Sequence, residues 1–430
     1  MTFKSSLEKN IFYNFPVFLF SLLPFFLITG PFLSDLSVSL IGLIFLIYCF
    51  KEKKFNYFHN NFFYFFLIFC GYLILNSLVN NFNLDSLKIS FFYFRYGIFV
   101  IAIAAMLNFD SKFIKYFFYC ILICFTALII DGFYQYFFRL NIFGFESPAA
   151  NRVSSFFGKE LILGSYLSKI WPIFFGLSIF FMKKKIFSFV IILIFILSEV
   201  LIFVSGDRSA FFIMNFSAIF VILFSRKLLK LRVITLLSSI FLLIIISLIN
   251  PIAKERVFDQ TFDQMNLLKK NENKQVGLYI FSIQHTHHYI AAYRIFLDNK
   301  ILGVGVKNFR YFCSKEKYSK DINFACSSHP HNTYLQILVE VGIIGFIFLI
   351  FIIFYFFKYV LKHFILKLKG KYYFSDFEIC LLSGIVIYLW PLMPTGSVFN
   401  NWLNIVLILN LPFLIWTRNL SKNNLPHSIS

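Results

Sequence analysis

Residues 329–357 read HPHNTYLQILVEVGIIGFIFLIFIIFYFF, so that a short polar stretch leads directly into a long apolar run. A helix that crosses the hydrocarbon core of a bilayer needs about 20 mostly apolar residues. The part that begins at Thr333 therefore predicts a membrane-spanning helix. His331 stands at the mouth of this helix, just after the polar segment 251–330. Because an imidazole titrates near neutral pH, this junction is a natural place for chemistry.

The rest of the chain has the composition of a membrane protein. Of its 430 residues, 59% are hydrophobic, only 14% are charged and 66 are Phe, which is far from the usage of soluble globular proteins. The second and the last of its twelve apolar runs are short, so that eleven helices would also fit. No small-residue cleavage site follows the first run, and we expect a retained helix rather than a signal peptide. The runs centre on 13–33, 36–50, 62–79, 91–107, 113–131, 161–181, 186–204, 209–225, 233–250, 333–357, 377–394 and 402–417.

The placement of Lys and Arg predicts how these helices are oriented. Loops rich in basic residues face the cytoplasm, and such loops alternate along the chain, at 51–54, 183–185, 226–232 and 358–371. We therefore expect both termini in the cytoplasm and the long segment 251–330 outside it. The net charge of +20 then reflects topology and contact with anionic membrane lipids rather than binding of nucleic acid.

Together these patterns predict an all-α integral membrane protein, a polytopic bundle of about 12 transmembrane helices with a large outer loop. Residues 1–130 would form N-terminal transmembrane helices, and residues 131–360 a core that includes the loop 251–330. Residues 361–430 would form a cytoplasmic loop and the C-terminal transmembrane helices. The chain has no phosphate-binding P-loop sequence, which argues against an ATP-driven pump.

Two of the seven cysteines, Cys313 and Cys326, lie in the long outer loop. If that side is an oxidising periplasm, a disulfide between them is permitted, and closing a loop of this size would contribute about 3 kcal/mol. Two free thiols are the alternative. The other five cysteines lie in apolar runs, where a small buried side chain is the ordinary role.

Four clusters of polar residues fall in the predicted outer loops, and their placement on one side argues for a shared site. Arg208 lies in a short turn between two spans, where a charge is costly unless it is paired or faces water. His285, His287 and His288 do not have a usual zinc-ligand spacing, so we predict no metal. The clusters are 151–158 with Arg152, 206–209 with Arg208, 284–308 with His285, His288 and Arg294, and 329–345 with His329, His331 and Asn332.

Some of the cationic side chains have a simpler alternative role. Arg152 could be an anchor at the level of the lipid headgroups. Arg95 and Lys169 lie inside or near apolar runs, and a long cationic side chain can extend from such a position to the membrane surface.

The fourth cluster supports the most detailed structural predictions. Asn332 and Thr333 are good N-cap residues, so the free N–H groups at the start of the helix would offer a site for an anion. His331 at that end could act as a general base. Gly342 and Gly345 would share a helix face and permit close packing. Glu340 is about half a turn out of phase with His331, and we expect it to bind a neighbouring helix instead.

This region resembles the O-antigen ligase family. The motif on which this resemblance rests is His331-Asn332, nine residues, Gly342, two residues, Gly345. The longer string from His329 to Gln336 is similar to the wider ligase and polymerase superfamily. The resemblance extends in order from about residue 130 to 350. Other stretches that carry it are Arg152-Val153-Ser154-Ser155 with Gly158, Arg208-Ser209-Ala210, and Asp298-Asn299-Lys300-Ile301-Leu302-Gly303-Val304-Gly305 before Asn308-Phe309.

The resemblance implies a multi-pass glycosyltransferase of the bacterial inner membrane, with a GT-C-like helical fold and an active site under a large periplasmic loop. Such enzymes transfer a glycan from undecaprenyl pyrophosphate to a sugar hydroxyl, without metal, nucleotide sugar or other cofactor. The acceptor is the lipid A core in ligases and another undecaprenyl-linked glycan in polymerases. The essential histidine of the family falls on His331 and the essential arginine of a short periplasmic turn on Arg208.

One departure concerns the second arginine that ligases carry upstream of the G-x-G turn. Here the stretch reads Gln284-His285-Thr286-His287-His288, and the next arginine is Arg294. Either Arg294 reaches the site or a histidine takes its place. We therefore expect a substrate-binding set around His331 and Arg208 that consists of Arg152, Arg294, His285, His288, His329 and Asn332. The alternatives are a polysaccharide polymerase, then a protein O-oligosaccharyltransferase, then a non-enzymatic lipid-glycan transporter.

Overall fold

The computed structural model describes residues 1, 3–80, 83–147, 149, 152–182, 184–249, 254–265 and 282–422. Within these ranges the fold is helical, and a single isolated β-bridge joins Leu140 to Glu146. The predicted all-α class is confirmed. The helices are α1 (Ser6–Thr29), α2 (Pro31–Lys51), α3 (Asn61–Val79), α4 (Leu84–Phe109), α5 (Ser111–Phe138), α6 (Leu163–Phe181), α7 (Lys185–Val204), α8 (Arg208–Phe224), α9 (Leu229–Ile249), α10 (Gln260–Gln264), α11 (Ile283–Asp298), α12 (Phe309–Phe312), α13 (Glu316–Ser319), α14 (Thr333–Leu368), α15 (Asp376–Leu389), α16 (Asn401–Ile408) and α17 (Asn410–Lys422).

Ten helices of the described residues are long and apolar enough to span a bilayer, namely α1 to α7, α9, α14 and the stretch Asn401–Leu420 of α16 and α17. The predicted runs 209–225 and 377–394 form α8, of 17 residues, and α15, of 14 residues. At a rise of about 1.5 Å per residue, both are shorter than the roughly 30 Å of a hydrocarbon core. A count of about twelve spans therefore remains a prediction.

Aromatic contacts hold the bundle together. Lipid is as apolar as the helices, so the association of membrane helices depends on close packing rather than on exclusion of water. Phe20 of α1 stacks on Phe117 of α5 at 4.6 Å, and Phe118 of α5 stacks on Phe181 of α6 at 4.3 Å between ring centroids. Contacts of this kind contribute about 0.5–1.5 kcal/mol each, which gives the high Phe content a structural role.

Helix α14 has 36 residues and is interrupted at Gly342, where φ is 71° and ψ is −171°. The sequence predicted instead that Gly342 and Gly345 share one face of a regular helix, and this was wrong for Gly342. An L side chain rarely adopts such a positive φ. A Cβ atom at Gly342 would also collide with the carbonyl oxygen of Ile301. Only glycine fits because another stretch of backbone lies against the break.

That backbone is the Gly303-Val304-Gly305 turn, which uses the carbonyl groups freed by the interruption. The N–H groups of Val304 and Gly305 donate to the carbonyl oxygens of Val339 and Glu340, each at 2.9 Å. A Cβ atom at Gly303 would lie 2.6 Å from the carbonyl carbon of Glu340. The two glycine motifs of the sequence therefore meet each other, and their contact ties the cap segment to α14, the helix that begins just after His331 and Asn332.

The predicted cytoplasmic loop 358–371 is largely helix, because α14 continues to Leu368. The ammonium of Lys367 donates to the carbonyl oxygen of Leu223 at 2.6 Å and to that of Ser225 at 3.1 Å. A cation is favourable at this position because the carboxyl end of α8 carries partial negative charge.

The described parts of the predicted loop 251–330 are folded. They contain α10 to α13 and a hydrophobic core separate from that of the bundle, and we call residues 282–330 the cap. Cys313 and Cys326 form a disulfide within the cap, as predicted from their position. The buried residues of this core are Ala291, Ala292, Ile295, Val304, Phe309, Cys313, Tyr318, Ala325 and Val339.

Candidate active site

Arg208 is presented by the turn between α7 and α8. The Oδ1 atom of Asp207 accepts a hydrogen bond of 3.1 Å from the N–H of Ala210, which caps α8. Arg208 is the first residue of that helix, where the helix dipole disfavours a cation. Its Nη1 atom donates to the hydroxyl of Thr261, 3.3 Å away on α10. A guanidinium placed against the dipole does not stabilise the helix, and its position suits a negatively charged ligand.

Arg152 reaches the same turn on a segment that is tied to α5. The N–H of Ser155 donates to the amide oxygen of Gln135 at 2.8 Å, and its hydroxyl donates to the carboxylate of Asp131 at 2.5 Å. Both acceptors are buried. Held in this way, the segment brings the Nε atom of Arg152 to 3.5 Å from the carbonyl oxygen of Ser205. The first and second predicted clusters therefore meet.

Four imidazole rings meet where α11 faces the start of α14. The ring centroid of His331 lies 4.1 Å from that of His329, 5.4 Å from that of His285 and 5.5 Å from that of His288. His285 and His288 are three residues apart on α11 and so lie on one face of that helix. The third and fourth predicted clusters thus join, and we call these four residues the histidine cluster.

Hydrogen bonds orient two of the rings and leave two available. The hydroxyl of Ser282, the N-cap of α11, lies 2.7 Å from Nδ1 of His285. The Nε2 atom of His329 donates to the carbonyl oxygen of Thr395 at 3.1 Å. The Nδ1 atom of His288 is buried and has no hydrogen-bond partner among the described residues. Within the same part of the chain no hydrogen bond reaches the ring of His331, so these two rings can receive a ligand.

Residues 390–400 form a loop that holds the backbone at His331. The sequence predicted no role for this loop. His331 has a φ of 56°, and its carbonyl oxygen accepts a hydrogen bond of 2.9 Å from the N–H of Thr395. One turn into α14, the amide oxygen of Gln336 accepts from the N–H of Val398 at 2.9 Å. The only sequence signal for this loop was its density of Pro and Gly, which is typical of turns.

Burial keeps the histidine cluster uncharged at neutral pH. Burial, followed by the neighbouring His329, His285 and His288, lowers the pKa of His331 to about 3. Burial also lowers the pKa of His285 to about 4, with smaller contributions from His288 and the positive charge of Arg208. It lowers the pKa of His329 to about 4 as well. The rings are therefore neutral at pH 7 and able to accept a proton.

Asn332 has a structural role at the start of α14. Its Oδ1 atom accepts hydrogen bonds from the N–H groups of Tyr334 and Leu335 at 3.0 and 3.1 Å, which confirms the predicted N-cap. Its Nδ2 atom donates to the carbonyl oxygen of Pro391 at 3.0 Å. The sequence predicted that the N–H groups at this end of α14 are free to bind an anion. For Tyr334 and Leu335 this was wrong, because their N–H groups donate to Asn332. The helix dipole remains available.

Arg294 is not brought to the histidine cluster. It follows His285 by nine residues on α11, which is about 13 Å along the helix axis. Its Nη1 atom donates to the carbonyl oxygen of Lys320 at 2.6 Å and to that of Tyr318 at 3.3 Å. The guanidinium thus binds the backbone of the cap.

Glu340 is fully buried and ties α14 to the cap. The Nε2 atom of Gln336 donates to one carboxylate oxygen at 3.0 Å, and the N–H of Phe309 donates to the other at 3.4 Å. The sequence predicted a tie to a neighbouring helix, and the bond from Phe309, the first residue of α12, confirms it. The second partner, Gln336, lies on α14 itself.

The chemical capacity of the site follows from these groups. The turn supplies guanidinium groups for an anionic ligand, and the histidine cluster supplies neutral imidazoles for proton transfer. Among the described residues, no group of three or more His, Cys, Asp or Glu side chains is arranged to hold a metal ion.

The chain matches a known protein family over part of its length. Residues 190–350 match the sequence model of the family described as O-antigen ligase. The matched region contains Arg208 and the whole histidine cluster, whereas Arg152 lies outside it. Among curated proteins, no relative matches the chain.

Proposed function

Since the chain belongs, through residues 190–350, to the O-antigen ligase family, we propose that it is a membrane glycosyltransferase that ligates O-antigen to the lipid A core. The donor is a glycan linked to undecaprenyl pyrophosphate. The acceptor is a hydroxyl of a core sugar, and the site opens to the periplasm at the inner membrane. The observation that carries this proposal is the position of His331, whose ring lies in a buried histidine cluster and accepts or donates no hydrogen bond within the described part of the chain.

Arg208 and Arg152 bind the pyrophosphate of the donor. A guanidinium presents parallel N–H groups that match two phosphate oxygens at once. The positive charge of Arg208 contributes to the lowered pKa of His285. His285 takes the place of the loop arginine found in ligases and donates a hydrogen bond to the same group. The enzyme mainly needs to position the donor and stabilise charge, because pyrophosphate is already a good leaving group.

His331 is the general base. The acceptor hydroxyl attacks the anomeric carbon, the bond from that carbon to the pyrophosphate oxygen breaks, and the hydroxyl proton passes to a ring nitrogen of His331. Undecaprenyl pyrophosphate leaves with the bonding electron pair. A pKa of about 3 makes free His331 a weak base. The negative charge of the bound donor raises that pKa, so the base becomes effective only when the donor is in place.

The other histidines act on this centre from two sides. His288 has a buried Nδ1 atom without a partner among the described residues. This atom accepts a hydrogen bond from a hydroxyl group of the acceptor sugar. His329 positions the ring of His331, since its own Nε2 atom is bound to Thr395.

A polysaccharide polymerase is the second candidate. It performs the same chemistry with an undecaprenyl-linked glycan as acceptor. The observation in its favour is that Arg294, the nearest candidate for the second loop arginine of ligases, is held by the cap backbone.

The deciding experiment deletes the gene and complements it with wild type or with His331→Ala. Lipopolysaccharide is then separated by gel. If the protein is a ligase, the deletion strain makes lipid A core without O-antigen and accumulates full-length polymer on undecaprenyl pyrophosphate. If the protein is a polymerase, the deletion strain makes core that carries a single repeat unit. General-base assistance is worth roughly 10²–10⁴-fold, so His331→Ala should reproduce the deletion while remaining in the membrane. Full rescue by that variant would exclude His331 as the base, and an unchanged profile on deletion would exclude both functions.

A further inference from the structure

Helix α6 is enclosed by the bundle except along one stripe. From Leu163 to Ser178, every residue of α6 is buried apart from Ser165 and Lys169, which are partly exposed. These two are four residues apart and so lie on the same face of the helix. Lys169 therefore lies on the one partly exposed face of an otherwise buried stretch of membrane helix.

In the described part of the chain, Lys169 lacks the salt bridge that three arginines in the membrane helices have. Arg95 pairs with Asp35, Arg232 with Glu199, and Arg418 with Glu378. Within the described residues Lys169 makes no salt bridge, and its ammonium bonds only to the hydroxyl of Ser165. A charge inside a membrane protein is costly without a partner, which points to a ligand.

The ammonium of Lys169 lies on the side of the bundle that carries Arg208 and Arg152. Side chains of a helix lean toward its amino end, and the bond to Ser165 places the ammonium one turn back toward the start of α6. The adjacent Gly164 packs on the turn, because a Cβ atom there would lie 2.9 Å from the Cβ of Asp207. Lys169 also interacts electrostatically with Asp207, the residue before Arg208.

We infer that Lys169 is a further donor-binding residue, whose ammonium contacts a phosphate oxygen of the lipid-linked pyrophosphate held by Arg208 and Arg152. This inference rests on the proposed function. It goes beyond the family match, which begins at residue 190 and does not include α6. Ser165 and Lys169 are the partly exposed residues of this part of α6, and the position inside a membrane helix suits a phosphate that is attached to a lipid.

The test measures binding of undecaprenyl pyrophosphate to the purified protein in nanodiscs of zwitterionic phosphatidylcholine. The variants are Lys169→Met, Lys169→Arg and Ser165→Ala, and Lys115→Met is the control, since Lys115 is exposed on α5. A lost hydrogen bond between charged groups should weaken binding by about 10- to 100-fold in Lys169→Met. Lys169→Arg should keep most of the affinity, Ser165→Ala should lose less, and Lys115→Met should match wild type.

Thermal unfolding separates a binding role from a structural one. Without ligand, Lys169→Met should unfold at a temperature no lower than wild type, because it removes a partly buried charge that has no salt bridge among the described residues. With undecaprenyl pyrophosphate, wild type should gain stability by mass action and the variant should gain less. A clear drop in the unfolding temperature of the ligand-free variant, with unchanged affinity, would mean that Lys169 is only a counter-ion of Asp207.

Two further outcomes would overturn the inference in different ways. In discs that contain phosphatidylglycerol, a headgroup site would appear as a lipid-dependent stabilisation that Lys169→Met loses, while the affinity for undecaprenyl pyrophosphate stays the same. In that case Lys169 binds phospholipid, and the proposed function is untouched. If wild type itself does not bind undecaprenyl pyrophosphate, the proposed function fails, and the inference fails with it.

Discussion

At the scale of single residues, His331 should give the enzyme an unusual pH dependence. The folded-state pKa of about 3 lies below the ordinary 6.5, so the free enzyme keeps a neutral base from pH 8 down to about pH 5. We expect kcat/KM for the donor, which reports the free enzyme, to be nearly flat over that range. The bound pyrophosphate raises the pKa of His331, so kcat should decline at a higher pH than kcat/KM.

The measurement is a pH–rate profile of glycan transfer with purified enzyme and lipid-linked donor. His287→Ala is the matched control, because the Nδ1 atom of His287 binds the N–H of Phe324 and its ring stacks on Phe324 rather than joining the cluster. Its profile should equal that of wild type. A kcat/KM that falls tenfold per pH unit from about 6.5 downward would show that His331 titrates as an exposed histidine.

Arg208 and Arg294 offer a pair of substitutions with opposite expectations. Arg208→Lys keeps the charge but loses the parallel N–H groups, and we expect donor kcat/KM to fall roughly 10- to 100-fold. Arg294→Lys should leave kcat/KM within about twofold, because its guanidinium binds the cap carbonyl groups of Lys320 and Tyr318. Steady-state kinetics on both variants checks this. Equal losses would mean that Arg294 also reaches the donor.

At the scale of elements, the interruption of α14 is the feature on which the site depends most. Gly342→Ala imposes an L side chain on a φ of 71° and forces a methyl group into the carbonyl oxygen of Ile301. Gly370→Ala is the matched control, since Gly370 has a φ of 69° with nothing within 4 Å of a Cβ atom. The control should cost only the strain of the left-handed conformation, about 1–2 kcal/mol.

Gly342→Ala adds a steric clash to that strain and should separate the cap from α14. We expect a lower unfolding temperature than in Gly370→Ala and a loss of ligation comparable with that of His331→Ala, measured by thermal unfolding and by lipopolysaccharide gels. If both alanine variants behave alike, the backbone contact between Gly303 and Gly342 does not position His331.

At this scale the sequence predicted those features whose cause lies within a single stretch of the chain. Apolar runs and the capping side chain of Asn332 are local, and both gave the right elements. The interruption at Gly342 was missed because it is stabilised by a turn some 40 residues earlier, which periodicity does not register. Lys169 was interpreted as reaching the membrane surface, because the enclosure of α6 arises only when the other helices pack around it.

At the scale of the whole molecule, the histidine cluster joins two segments that lie some 40 residues apart in the sequence, and Arg152 reaches the turn before Arg208. The motifs predict functional roles for His331 and Arg208, and these roles remain predictions. Sequence alone could not show that Arg294 is used by the cap, or that the loop 390–400 supports His331 through Thr395. Both depend on packing between segments far apart in the chain.

The hydrophobic core of the cap includes Val339 of α14 and is separate from the main core of the bundle, and the disulfide should stabilise the cap more than the bundle. A cross-link that closes a loop of this size constrains the unfolded chain by about 3 kcal/mol. The double variant Cys313→Ser with Cys326→Ser should therefore unfold the cap at a lower temperature while the bundle keeps its helicity. Cys49→Ser is the control, because Cys49 is a free buried thiol of α2.

Limited proteolysis distinguishes the two units. In the double variant, cleavage should begin within the cap at temperatures where wild type resists, and ligation should fall in parallel, because His285 and His288 are carried by the cap helix α11. Far-UV circular dichroism should change little, since most helical residues belong to the bundle. Simultaneous loss of cap and bundle would show instead that the two cores unfold as one cooperative unit, so that the histidine cluster depends on the stability of the entire protein.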